Sequence, residues 1–200
     1  MIVESDRATL RARKVILVEG NSDTLAVRAT AERAGRDLDA EAIAVLSLDG
    51  AGGFDAQVKR LGPAGLGLEL LGLCDLDHEA RWARVLEDAG LGSQLDREGM
   101  EALGFFVCDR DLEDEFIKTL GVTEIEKLIA AQGESYALGV FTQQPAHRGE
   151  GRGDQLRRFF GTKGGRKARY APLLVAATPP GAEPRPLREV VARALADGRS

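Results

Sequence analysis

Cysteine is scarce in this chain. Its 200 residues include two, Cys74 and Cys108, far apart and outside any CxxC spacing. That excludes a disulfide scaffold and argues against a structural zinc site. Both are read as small buried hydrophobes, and a reducing cytoplasm is the expected compartment. Long apolar runs are missing too. No stretch approaches the roughly 20 residues that span a bilayer, so no membrane is expected among the partners. The opening MIVESDRATLRARK lacks the apolar centre of a secretory leader. Histidine occurs only at His78 and His147, too sparse for a histidine-rich metal cage. No G-x-G-x-x-G follows the first apolar run, which counts against a dinucleotide-binding enzyme. An excess of basic charge is also lacking: 27 basic against 32 acidic residues give a net −5, which argues against a strongly basic nucleic-acid coat.

What is present is a globular composition, 44% apolar and 30% charged, enough for one domain with a core of its own. The net charge hides an asymmetry. Arg148 to Arg169 holds eight basic residues and two acids. That stretch carries +6 and the remainder −11. An acidic centre beside a basic segment suits a metal site that handles a polyanion.

Strand and helix signals alternate at short spacing. Lys14–Val18 reads as a buried strand, followed by a helix from Asp23 to about Ala34 with Ser22 as its cap. A second strand is expected over Ala42–Leu48, a helix over Phe54–Leu61, a third strand over Leu66–Leu73 and a helix over His78–Ala89. Gly104–Cys108 is the fourth strand candidate and Leu112–Leu120 its helix. The pattern predicts a parallel sheet of about four strands flanked by helices, with ligands beyond the carboxyl ends of the strands. Further helices are expected over Val122–Gln132, Asp154–Phe160, Arg166–Ala177 (interrupted at Pro172) and Leu187–Ala196. Between them lie a mobile loop, Gln143–Gly153, and a proline-rich connector, 178–186. Residues 1–121 are read as an α/β core and 122–200 as a helical part completing it, with the basic segment at 148–169. The apolar face of the last helix either closes the core or forms a dimer.

Acids fall at the strand ends. Glu19 follows the first strand, and Asp23 lies in the first turn of the next helix, able to point back at the same pocket. The competing readings are a solvated loop acid and a charge favoured by the helix dipole. Asp75 and Asp77 leave the third strand at i and i+2, where both can face one hard cation such as Mg²⁺. Asp109–Glu115 holds five acids in seven residues, a crowding that calls for a cation or for open water. Asp49-Gly50-Ala51-Gly52-Gly53 is read as a turn, with capacity to approach a phosphate. His78, just after the Asp75/Asp77 pair, is read as a surface residue at a helix start, with a supporting place behind the site's acids as the alternative.

The run V-I-L-V-E-G-N-S-D, with C-D-L-D at the end of a later strand, resembles the Toprim domain of topoisomerases, primases, recombination mediators and OLD-family (overcoming lysogenization defect) nucleases. The resemblance implies a compact Rossmann-like α/β fold with a helical C-terminal extension, and a signature made of Glu19 and Asp75/Asp77. The OLD nucleases are the branch it resembles most: Asp23 matches their extra acid, Asp111-Leu112-Glu113 their D-L-E, and Lys167 their lysine, with Lys163 its rival. That resemblance implies metal-dependent phosphodiester cleavage, DNA nicking or cutting with two Mg²⁺ or Mn²⁺ ions.

 Asp75 and Asp77 would hold one ion, and Glu19, Asp23 and Glu113 would hold or share the other. Glu19 could instead serve as general acid or base. Lys167 would neutralise charge developing on the phosphate. Arg157, Arg158, Lys163, Arg166 and Arg169 would grip the DNA backbone without reading bases. OLD proteins carry an ATPase domain ahead of the Toprim domain, and no G-x-x-x-x-G-K-[ST] is present here. The chain is therefore expected to be a stand-alone Toprim protein, a fragment, or a partner to a separate ATPase subunit; a homo-oligomer is a further option. Tyr136 and Tyr170 are not expected to act as a topoisomerase nucleophile. The alternative is a non-catalytic Toprim module that binds DNA or recruits a partner in repair or recombination.

Overall fold

The computed structural model describes residues 11–48 and 53–196. Four parallel strands, β1 (Lys14–Val18), β2 (Ile43–Ser47), β3 (Glu69–Cys74) and β4 (Phe105–Val107), form one sheet in the order β2-β1-β3-β4. Among the described residues, ten helices accompany it. Four alternate with the strands on the way to β4: α1 (Asn21–Arg33), α2 (Gly53–Leu61), α3 (Glu79–Asp88) and α4 (Arg97–Leu103). Six follow β4: α5 (Leu112–Leu120), α6 (Val122–Ala131), α7 (Ser135–Gln143), α8 (Arg152–Gly161), α9 (Arg166–Ala177) and α10 (Arg185–Leu195). This is the α/β architecture expected from the alternating pattern. None of these helices is long and apolar enough to cross a membrane.

All five residues of β1 are buried, because helices cover both faces of the sheet and a continuous apolar run is needed where an alternating one would suffice for a half-exposed strand. On one face, Ile16, Val18, Leu71, Leu73 and Phe106 share a core with α1, α5, α9 and α10. On the other, Val15, Leu17, Leu70 and Phe105 pack with α2, α3 and α4. There Phe54 and Trp82 stack at 3.8 Å, with Phe105 edge-on to both. Gly72 of β3 makes room for this cluster: a Cβ at that position would lie 2.6 Å from both the Phe105 and Trp82 rings.

Lys14 is buried at the start of β1, and its ammonium donates to the Ala196 carbonyl at 2.8 Å, just past the end of α10. A cation suits the negative end of a helix. α10 turns Leu187, Val190, Val191 and Ala194 into the core, so of its two expected roles the apolar face takes the first and closes the core.

Several boundaries differ from expectation, each for a local reason. α1 starts at Asn21, capped by Gly20 rather than Ser22, because Asp23 reaches back to accept the Gly20 N–H at 2.9 Å. β3 begins at Glu69; residues 62–67 fold into turns closed by Gly67 N–H to Gly62 O at 2.9 Å, and Leu66 is exposed. α4 and α7 have no counterpart in the sequence reading. α9 runs unbroken through Pro172, since Tyr170, Ala171, Leu174 and Val175 around it are all buried and hold the helix against the core. The expected loop after Gln143 is pinned: His147 stacks on Phe141 at 4.1 Å, and its carbonyl accepts the Gln155 amide at 2.7 Å. Asp49–Gly52 of the glycine-rich turn lies outside the described residues.

Candidate active site

The parallel register sets Val18 of β1 opposite Leu73 of β3. The chain therefore leaves both strands side by side, and the next residues, Glu19 and Cys74-Asp75, meet at the same edge. Glu19 Oε1 accepts the Asp75 backbone N–H at 2.9 Å. The same oxygen lies 2.5 Å from His78 Nδ1. His78 ends a single 3-10 turn, Leu76–His78; that turn brings the imidazole back to Glu19, so it is not the plain surface residue read from the sequence. The turn sends Asp77 outward into solvent.

Three helix starts supply the rest. Asp23 stands in the first turn of α1. Glu113 stands in the first turn of α5 and is buried. Lys167, in the first turn of α9, donates to Glu113 Oε2 at 2.6 Å. Asp111 caps α5 by accepting the Asp114 N–H at 2.9 Å, and its other oxygen accepts from Arg157 Nε at 2.6 Å. The remaining acids of the 109–115 run face other partners: Asp109 pairs with Lys118 and Arg97, Asp114 with Lys118, and Glu115 accepts the Asp109 N–H.

Burial and mutual repulsion push three of these acids, Asp23, Asp75 and Glu113, up. Asp75 rises to about 8, first through burial, then through the charges of Glu19, Asp23, Asp111 and Glu113. Asp23 rises to about 7 through burial and then Glu113. Glu113 is raised by burial even though Lys167 pulls the other way. Groups that raise one another this way share a pocket. Burial, reinforced by nearby carboxylates, also lifts the thiols of Cys74 and Cys108, which removes them as nucleophiles.

Crowded carboxylate oxygens match in chemistry what a hard divalent cation requires. They are not already a cage: among the described residues, no three His, Cys, Asp or Glu side chains stand as ligands around one point. Instead Glu19 is turned to His78, Asp23 to Gly20 and Glu113 to Lys167.

The basic segment is divided. Lys163 is exposed. Arg158 is exposed and pairs with Glu150 at 2.9 Å, and Arg169 pairs with Glu134 at the surface. Arg157 is committed to Asp111. Arg166 turns inward, contrary to its expected place on a phosphate track. It is buried, lies 3.9 Å over the Phe159 ring, and donates to the Phe159 carbonyl and to Glu134. Nothing in the residue pattern distinguishes it from its basic neighbours; only the fold of α8 against α9 does.

Residues 10–77 match the family model described as "Overcoming lysogenization defect protein-like, TOPRIM domain". No curated protein matches the chain. Among solved structures, the C-terminal region of the Xanthomonas campestris pv. campestris OLD protein is similar at 28% identity and a TM-score of 0.70, covering 92% of this chain and 93% of that one. The C-terminal region of the Burkholderia pseudomallei OLD protein is similar at 25% identity and a TM-score of 0.71, covering 92% and 97%. Residues 10–77 are thus similar to an OLD-like Toprim domain, and the fold over 92% of the chain is similar to that of OLD C-terminal regions.

Proposed function

We propose that the chain is a divalent-metal-dependent nuclease that cleaves phosphodiester bonds in DNA. The observation that carries this reading is the convergence of Glu19, Asp23, Asp75 and Glu113 at the carboxyl edge of the sheet, with a lysine in the same pocket. OLD-like Toprim proteins are nucleases, which supports the same assignment. In this reading Asp75 would hold one ion, joined by Asp77 once its outward-facing side chain turns back, and Glu19, Asp23 and Glu113 would hold or share a second. Bound Mg²⁺ or Mn²⁺ supplies charge stabilisation to the attacking and leaving oxygens. His78 and the Asp75 amide orient the Glu19 carboxylate, which can alternatively exchange a proton with the attacking water. Lys167, held by Glu113, neutralises negative charge growing on the phosphate. Arg158, Lys163 and Arg169, on the exposed side of the basic segment, hold the backbone.

Nicking of supercoiled plasmid with Mg²⁺ or Mn²⁺ tests the reading. Glu19→Gln and Asp75→Asn are each expected to lower nicking by roughly 100-fold or more; equal cleavage by wild type and both variants removes the catalytic assignment. A second reading, a non-catalytic DNA-binding or partner-recruiting module, draws on the internal partner that each of Glu19, Asp23 and Glu113 already has. Calorimetric titration with Mn²⁺ separates the two: heat lost on Asp75→Asn supports the nuclease, and no binding at all supports the module.

A further inference from the structure

Beside the acid centre lies an open, mostly apolar groove of about 520 Å³ that the cleavage reading does not use. Tyr136 and Val140 of α7 form one wall, Phe141 and His147 the floor, and Thr162 and Arg166 the far side. Tyr136 is 85% exposed and Val140 49%. An exposed tyrosine and valine lining one concave apolar groove form a contiguous patch of the kind that marks a binding surface. The floor is already a stack, His147 on Phe141. Among the described residues, the Tyr136 ring has no aromatic partner.

The charge around the groove indicates what covers it. Arg148, four residues beyond Gln144, donates only to the Gln143 carbonyl, and Lys163 adjoins Thr162. Both are exposed, and among the described residues neither has an acidic side chain within ion-pair distance. Two carboxylates of this region already have cationic partners: Glu134 in Arg166 and Arg169, Glu150 in Arg158. An apolar slot with a free aromatic face, and exposed cations next in sequence to two of its lining residues, His147 and Thr162, fits a flat ring carried between two anions. We propose that this groove binds single-stranded nucleic acid, one unpaired base stacked on Tyr136 and its flanking phosphates on Arg148 and Lys163. A duplex keeps its bases stacked inside and has no such face to offer, whereas base–aromatic stacking with a basic track is how single strands are held. The inference rests on the nuclease reading and deepens it by naming the substrate class. Arg166 in the groove lining and Lys167 in the acid centre are successive residues of α9, so one helix serves both the groove and the cleavage site.

Fluorescence anisotropy tests this in EDTA, where cleavage does not interfere, with labelled oligothymidylate, oligouridylate and a duplex of equal length. Tyr136→Ala is expected to weaken oligonucleotide binding by roughly tenfold and leave duplex binding unchanged, while Tyr136→Phe retains wild-type affinity. Lys163→Ala is expected to reduce the salt dependence of single-strand binding. Two results overturn the proposal: equal single-strand affinity of Tyr136→Ala and wild type, or a shift of the protein alone from dimer to monomer on Tyr136→Ala in sedimentation, which gives the groove to a second copy of the chain. The two readings fail separately. Loss of the Tyr136 effect with Glu19-dependent nicking intact sinks the groove alone; unchanged nicking by Glu19→Gln with the Tyr136 effect intact sinks the nuclease assignment alone.

Discussion

Glu19 is held from two directions, by the Asp75 amide at 2.9 Å and the His78 ring at 2.5 Å. Partners of this kind fix the orientation of a carboxylate, and losing one typically costs 10–100-fold in metal affinity or activity. His78→Ala is expected to reduce plasmid nicking by about that factor and to weaken Mn²⁺ binding by calorimetry, with His78→Asn recovering part of both through its amide donor. A merely structural histidine would leave metal affinity untouched. A second test concerns Glu134. Burial opposes its charge, but hydrogen bonds from Arg166 and Tyr170, with Arg169 nearby, hold it below its ordinary 4.5. A depressed carboxylate stabilises the fold above its unfolded value, and that contribution fades as pH falls through the folded value. Urea unfolding should therefore show Glu134→Gln less stable than wild type at pH 7 by about 2 kcal/mol, with the gap closing below about pH 4.

The central sheet makes its own demand on β3. A methyl at Gly72 would press on Phe105 and Trp82 within 2.6 Å, and both rings are fixed by the Phe54 stack. Overpacking of this kind costs about 1–3 kcal/mol, so Gly72→Ala should lower the urea midpoint while leaving the circular dichroism of the folded protein unchanged. β1 and α5 were legible in the sequence to the residue, because an apolar run behind a single lysine and a capped amphipathic run leave little choice of limits. Glu19 and Asp75 were legible for the same reason: they sit one residue past strands that had to be buried. His78 was legible only as the alternative, since it is the 3-10 turn after Asp75 that swings its ring back. The limits of β3 were blurred by Leu66 and Leu68, apolar residues that belong to the turns preceding the strand. α4 escaped notice although Asp96 caps it and Gly104 stops it, for its seven residues carry a single fully buried side chain, Met100. α7 escaped because Tyr136 and Val140 face solvent and break the periodicity.

The whole molecule joins an acidic pocket to a basic segment, and the exposed members of that segment, Arg158, Lys163 and Arg169, are the part that meets phosphate in the proposed function. Nucleic-acid binding should fall linearly on a log–log plot against salt; a flat response in a filter-binding series from 50 to 200 mM salt, roughly the span over which such contacts are lost, would show that this segment is not a phosphate track. The helices after β4 are not an appendage: α9 and α10 bury Tyr170, Leu174, Leu187 and Val190 in the same core as Ile16 and Leu71. Leu187→Ala is expected to destabilise the whole chain by about 2–5 kcal/mol, and calorimetry should show one transition lowered rather than one of two. α9 has a further consequence. Successive residues on a helix diverge by about 100°, and here one of the pair, Arg166, braces a wall that carries an aromatic face while the other, Lys167, reaches the carboxylates. A slight roll of that cylinder, such as a changed contact at Tyr170 or Leu174 would cause, moves both at once. Evolution and engineering alike then inherit a pleiotropic hinge pin: neither grip nor chemistry can be retuned through α9 without disturbing the other.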